Sequence, residues 1–305
     1  MSDIILHHFD SSPFAEKVRL ALGLKGLEWF SVEIPMVMPK PSLTALTGGY
    51  RKTPVMQIGA DIYCDTQCIA LALEQYQPEP SLFPAHSAAL ALALSQWSDV
   101  AFFQPGAGLS MGTNEELPED ILQDRREFFN FLDFSNLEEQ LPQLYGQFSA
   151  QLHLVQGMLA DGRSYVLGNA PGWADILAYF PLWMCRGNIA SAPSLVADLP
   201  ALLAWESRML AIGHGHPTPM PADEALRIAR DSSSTATADI AAGSWPHLAN
   251  GAAVTVTPQD YGAVPVAGRL LRLTHSDIAI RREDPVAGEL VVHFPRLGYR
   301  IEATP

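Results

Sequence analysis

Basic charge is scarce in this chain. Its 305 residues carry 19 lysines and arginines against 33 aspartates and glutamates, a net charge of −14. That balance argues against a nucleic-acid binder and against docking on an anionic membrane surface. Cysteine is scarce as well. Cys64, Cys68 and Cys185 are an odd set with no disulfide framework, which fits a reducing compartment. No apolar run reaches the length of a bilayer span, and Met1-Ser2-Asp3 lacks the basic stretch that opens a secretory signal. These absences predict a globular protein of the cytoplasm, with neither nucleic acid nor membrane as partner.

What is present is a sizeable core. Hydrophobic residues make up 48% of the chain, and the length suggests two or three domains. The stretch that organises the first of them is Ser11-Ser12-Pro13-Phe14-Ala15-Glu16-Lys17-Val18-Arg19. It follows an apolar run, Ile4 to Phe9, that reads as a buried strand. It opens a helix over residues 13–25, with Phe14, Val18, Ala21 and Leu22 on one face. Pro13 suits the first helical position and Ser12 the N-cap. A hydroxyl then sits at the positive end of the helix, beside amides without helical partners, where an anion is stabilised. Taken alone, Ser-Pro favours plain capping by Ser12 over an anion site.

Leu27 to Ile34 reads as a second strand, parallel to the first through a right-handed crossover. A short helix follows around Ser42–Leu46. Two short strands, Val55–Ile58 and Asp61–Cys64, make a hairpin at Gly59-Ala60, and helical spacing returns from Asp65. Two spots in this βαβ-α-ββα order carry chemistry. Thr53-Pro54-Val55 puts a proline at a strand start. A cis bond there would turn the Val55 backbone outward, to pair with an extended peptide as an added strand does; a trans bond makes it an ordinary strand start. Asp65-Thr66 opens a helix whose amides can hold a carboxylate, or which Asp65 merely caps. Lys40 and Lys52 can add positive charge. Cys64 and Cys68 form a C-x3-C pair, read as buried thiols ahead of metal ligands; no metal is expected.

The Ser-Pro-Phe-x-x-Lys-Val-Arg run, the Lys-x-Pro-Val run and the acid–hydroxyl pair before a helix resemble the thioredoxin-like N-terminal domain of the glutathione transferase family. The Ser-Pro-Phe start is similar to tau-like members; omega-like members carry cysteine before that proline, and zeta-like members a Ser-Ser pair. The resemblance implies glutathione as co-substrate. Carried over by position, Ser12 donates a hydrogen bond to the glutathione sulfur, with Ser11 as the rival hydroxyl. Val55, after a cis Pro54, pairs with the cysteinyl backbone. Asp65 and Thr66 hold the γ-glutamyl end, and Lys40 and Lys52 meet the glycyl carboxylate. The family more often has Glu-Ser at 65–66. A thiol titrates near ~8.5, and a hydroxyl donor at a helix N-terminus lowering it by ~1–2 units makes thiolate dominate at neutral pH. The thiolate then attacks a small apolar electrophile.

Further along, Gln77-Pro78-Glu79-Pro80 reads as a linker. Residues 87–103, 119–134 and 137–159 read as helices, with a break at Gln104–Gly108. Leu167-Gly168-x-x-Pro171-Gly172-Trp173-Ala174-Asp175-Ile176 resembles the capping motif of the family's all-helical second domain, with glycine where Ser or Thr is usual. Asp175 is therefore assigned to folding. Phe14, Phe102, Phe103 and Met111 are the candidates for an electrophile pocket, and a homodimer is expected. Beyond Leu210 the resemblance stops. Pro217, Pro219 and Pro221 read as a stiff linker, followed by a short helix and five short strands at regular spacing. The expected architecture is thus an α/β thioredoxin-like domain over 1–77, an all-α domain over 87–215, a linker with a short helix over 216–249, and a small all-β, SH3-like barrel module over 250–305. The second functional reading is a non-catalytic binding or scaffold protein acting through that β module.

Overall fold

The computed structural model describes residues 3–114, 117–241 and 248–304; residues 242–247 of the expected linker lie outside the described residues. In chain order the elements are β1 (Ile4–His8), α1 (Pro13–Leu24), β2 (Glu28–Glu33), α2 (Pro41–Thr47), β3 (Val55–Ile58), β4 (Asp61–Cys64) and α3 (Thr66–Tyr76). Next come the helices α4 (Ala88–Gln96), α5 (Phe103–Gly112), α6 (Glu119–Phe128), α7 (Leu137–Met158), α8 (Trp173–Asn188), α9 (Ala192–Val196) and α10 (Pro200–Leu210). The chain continues with β5 (His216–Pro219), α11 (Ala222–Asp231), β6 (Asp239–Ile240), β7 (Ala253–Pro258), β8 (Val266–Leu273), β9 (Asp277–Asp284), β10 (Gly288–Pro295) and β11 (Tyr299–Ala303). Two compact units result: residues 1–10, 28–72 and 217–305, and residues 11–27 and 73–216.

The first unit is built on one sheet. β1 runs parallel to β2 and antiparallel to β3, which pairs antiparallel with β4. This is the thioredoxin-type order expected for the N-terminal domain. In an isolated domain of this kind β4 would be an edge with unpaired amides. Here Val291, Val292 and His293 of β10 lie parallel along it, Val292 opposite Ile62. β10, β9, β8, β7 and β11 continue outward as antiparallel neighbours, so the strand path runs open from β11 to β5. That corrects the SH3-like barrel. The five strands exist where expected, but they extend the N-terminal sheet instead of closing on themselves. The reason is hydrophobic. Leu290 and Val292 are fully buried in the same core as Ile5, Val55 and Ile62, and Ala225 and Ala229 of α11 enter that core as well. Every residue from Leu290 to Pro295 is buried, the signature of a central strand rather than a half-solvated barrel strand. The proline-rich stretch expected as a linker supplies β5, which lies beside β2 at the sheet edge, where strand prolines are tolerated.

The second unit is helical, and α1 belongs to it. Phe14 packs edge-on against Phe103 at 4.8 Å and against Phe180 at 5.1 Å. The break expected at Gln104–Gly108 is absent. The irregularity lies upstream, a π-helical turn over Trp97–Phe102 in which the Phe103 amide reaches back to the Ser98 carbonyl. Pro105 then falls in the first turn of α5, where its missing N–H is tolerated. The glycines that suggested a break serve packing. A Cβ on Gly108 would come within 2.8 Å of Leu144, and one on Gly106 within 3.0 Å of Met184 and Phe148. The 119–134 helix ends sooner than expected, at Phe128.

Candidate functional site

In the first unit the Thr53–Pro54 peptide is cis. Val55 follows it at the start of β3, in register with His7 on one side and Cys64 on the other, and is fully buried. Lys40 is buried: its Nζ donates to the Thr53 hydroxyl at 3.1 Å and stands 5.4 Å from the Phe9 ring centre. Lys52 pairs with the carboxylate of Asp260 and lies 4.5 Å over the ring of Tyr261. Thus both cations assigned to a ligand carboxylate have partners within their own unit, and for Lys52 the partner comes from the C-terminal strands.

Asp65 takes a left-handed backbone conformation, φ +78°, a geometry Asp tolerates better than most residues. Its Oδ1 accepts the Gln67 amide at 2.9 Å, so it caps α3, and Thr66, the first helical residue, is buried behind it. Its Oδ2 accepts the phenol of Tyr299 at 3.0 Å, and the Tyr299 and Tyr50 hydroxyls meet at 3.0 Å. Burial and the neighbouring Asp65 charge push both phenols well above their ordinary range, so both stay protonated. Sequence reasoning missed Tyr50, Tyr299, Asp260 and Tyr261. A pairing across more than two hundred residues leaves no local signature.

In the second unit Ser12 is the N-cap of α1: its Oγ accepts the Ala15 amide at 3.2 Å, and only 3% of the residue is exposed. Ser11, the rival, is exposed. A hydroxyl that accepts through one lone pair keeps its proton to donate. Two pocket candidates are buried. Phe102 is sealed against Trp97 and Phe148, and Phe103 packs against Phe14, Phe129 and Phe180; both are core residues. Phe14 and Met111 keep partial exposure. Cys64, Cys68 and Cys185 are buried, and loss of hydration raises each thiol well above its ordinary range, so none supplies a thiolate. Among the described residues no group of His, Cys, Asp and Glu is arranged to hold a metal. No helix among them is long and apolar enough to cross a membrane.

Comparison with known proteins bears on this geometry directly. Residues 6–81 match the family model of the glutathione S-transferase N-terminal domain, and residues 128–212 that of its C-terminal domain. A GST-like protein from Pseudomonas syringae is 36% identical, with a TM-score of 0.80 and an alignment covering 100% of both chains. The chain belongs to the glutathione transferase family. Glutathione S-transferase U4 of Arabidopsis thaliana is 28% identical over 133 residues, 43% of this chain and 59% of that protein. The tau-class transferase of mango, Mangifera indica, is 18% identical with a TM-score of 0.55, covering 68% of this chain and 89% of its own. A family member from Pseudomonas fluorescens with two glutathione bound is 12% identical with a TM-score of 0.53, covering 69% of this chain and 89% of its own. The last two share the transferase fold alone. The alignment with the Pseudomonas syringae protein also spans this chain's C-terminal strands.

Proposed function

We propose that this transferase binds glutathione and transfers its thiolate to a small apolar electrophile, acting as a cytoplasmic homodimer without a metal. The observation that supports it best is Ser12, held at the N-cap of α1 inside the stretch that matches the N-terminal family model. Its hydroxyl donates a hydrogen bond to the glutathione thiolate and keeps its proton, while its lone pair keeps the cap. Ser11, exposed and outside the cap, is the weaker choice. The cis Pro54 and Val55 receive the cysteinyl backbone, Asp65 and Thr66 the γ-glutamyl end, and Lys40 and Lys52 the glycyl end. Phe14 and Met111 are the partly exposed apolar side chains offered to the electrophile. Chemically the step is a substitution or addition: the sulfur forms the new bond, the electrophile gives up a leaving group or takes a proton, and no redox partner is needed.

The test is turnover of the full chain with glutathione and a chlorodinitrobenzene, set beside Ser12→Ala. A loss of about 8- to 25-fold at pH 7, with folding intact, matches a thiol pKa lowered from ~8.5 by ~1–2 units. Retention of full activity in Ser12→Ala excludes Ser12. A second reading is a binding or scaffold protein without turnover. The engagement of Asp65 and Lys52 by Tyr299 and Asp260 favours it. Binding of glutathione with no turnover of any electrophile would select it.

A further inference from the structure

Both lysines assigned to the glycyl end of glutathione are already engaged. Lys40 is 5% exposed and spends its ammonium on the Thr53 hydroxyl beside the Phe9 ring. Lys52, its side chain only 12% exposed, is paired with Asp260 and stacked on Tyr261, and the Asp260 side chain is 47% exposed. A ligand carboxylate arriving at Lys52 therefore meets a carboxylate already in place. It must either displace Asp260 or accept like-charge repulsion at contact distance. A neutral amide has no such conflict, and an amine long enough to reach the half-exposed Asp260 carboxylate, on the side away from the more buried Lys52 ammonium, gains a contact. Asp260 sits in the turn that joins β7 to β8, so the C-terminal extension has placed a carboxylate beside one of the two lysines at this end of the site.

We propose that the preferred ligand is a glutathione blocked at its glycyl carboxylate, as an amide or as a conjugate bearing an amine beyond that amide, with Asp260 as the specificity residue. The inference rests on the glutathione reading above and names the form of the tripeptide. Tyr261 fixes the Lys52 stem by a cation–ring contact, so the ammonium cannot swing away from Asp260 to a competing carboxylate without giving up both interactions.

The experiment is calorimetric titration of the full chain with three probes: glutathione, its glycinamide analogue, and that amide extended by an aminopropyl group. The expected order is amine first, then amide, then free acid, with the amide about three- to fivefold tighter than the acid, the range of one partly exposed ion pair. Asp260→Asn should release Lys52 and invert the order in favour of the free acid, while Asp260→Glu should keep it. Free glutathione binding as tightly as the amide, or an order unchanged in Asp260→Asn, overturns the proposal while leaving the glutathione site standing. Failure of all three probes to bind overturns both.

Discussion

Tyr299 on β11 donates a hydrogen bond from its phenol to Oδ2 of Asp65, 234 residues earlier, at 3.0 Å. Tyr299 has one proton and a carboxylate only accepts, so the Tyr50 hydroxyl 3.0 Å away must be the donor in the second contact. A directed chain results, Tyr50 to Tyr299 to Asp65, in which the C-terminal extension holds the carboxylate assigned to the γ-glutamyl end. Aspartate reaches one methylene less far than the glutamate usual in the family, and the phenol keeps it from turning away.

Tyr299→Phe removes both contacts at once. It leaves the buried Tyr50 hydroxyl without its acceptor, so stability should fall by about 1–3 kcal/mol. Glutathione affinity should fall in parallel, since Asp65 loses its orientation. Tyr50→Phe combined with Tyr299→Phe should cost less than the two single changes added, because no orphaned hydroxyl remains. Urea denaturation of the four proteins measures this; strict additivity would mean the two phenols do not act together.

The sequence told these parts unequally. β3, β4 and the start of α3 appear where Val55, Asp61 and Thr66 place them, because local signals define them: a proline at a strand start, Gly59-Ala60 at a turn, Asp65 at a cap. α1 was half legible. Its apolar face is plain, but Glu16, Lys17 and Arg19 are buried and paired too. Partners such as Asp99 and His214 come from far along the chain. The five last strands were legible as strands, yet their destination was not. Nothing local distinguishes a strand that closes a barrel from one that lies along β4. Likewise Gly106 and Gly108 read as a break, when what they answer is the proximity of α7 and α8.

Gly172 illustrates a local rule overruled by packing. Ser at this N-cap would accept a helix amide and ordinarily contribute ~1 kcal/mol. Here a Cβ would lie 2.8 Å from Pro84 Cδ and 2.9 Å from the Leu82 carbonyl oxygen, which itself accepts the Trp173 amide at 2.6 Å. The oxygen is backbone and cannot yield cheaply. Gly172→Ser should therefore destabilise by about 1–3 kcal/mol, despite restoring the usual family residue. A thermal melt showing a stabilised Gly172→Ser protein would contradict this geometry.

Acid should unfold the first unit through two groups. His7 is fully buried and donates to Gln57 Oε1 at 2.9 Å; burial lowers its pKa to about 4. Between its unfolded value near 6.5 and about 4, the unfolded chain takes up a proton that the folded one does not. Stability therefore falls as pH falls through that window, by up to ~1.4 kcal/mol per unit. Asp61 acts below it. Burial would raise its carboxyl, but the bonds from His293 Nε2, Ser234 and Thr235 outweigh burial and hold it below the usual value. Its contribution is present above the unfolded carboxylate value, near ~3.9, and is lost as pH falls through the lower folded value. His7→Leu should flatten the pH–stability curve between about 6.5 and 4 and leave the drop below it, read by denaturant midpoints across pH. An unchanged slope in that variant would show that His7 is not the group.

Lys17 is the test of how the second unit tolerates charge. It is fully buried, paired with Asp99, and its Nζ stands 4.4 Å from the ring centre of Phe14 and 4.3 Å from that of Phe180. Removing an ammonium from such a place leaves a carboxylate without its partner, and the Asp99 side chain is only 22% exposed. Lys17→Ala should thus cost about 3–5 kcal/mol, combining lost packing between the rings with the stranded charge. Lys17→Met keeps the stem between the rings and isolates the electrostatic part. Pairing it with Asp99→Leu removes the stranded carboxylate and should recover most of the loss, because two charges brought out of water stabilise a fold less than well-packed apolar groups of similar size do. Denaturant unfolding of the cycle reads the coupling. If the double variant is as unstable as the sum of its parts, the ammonium is held by the two rings rather than by Asp99.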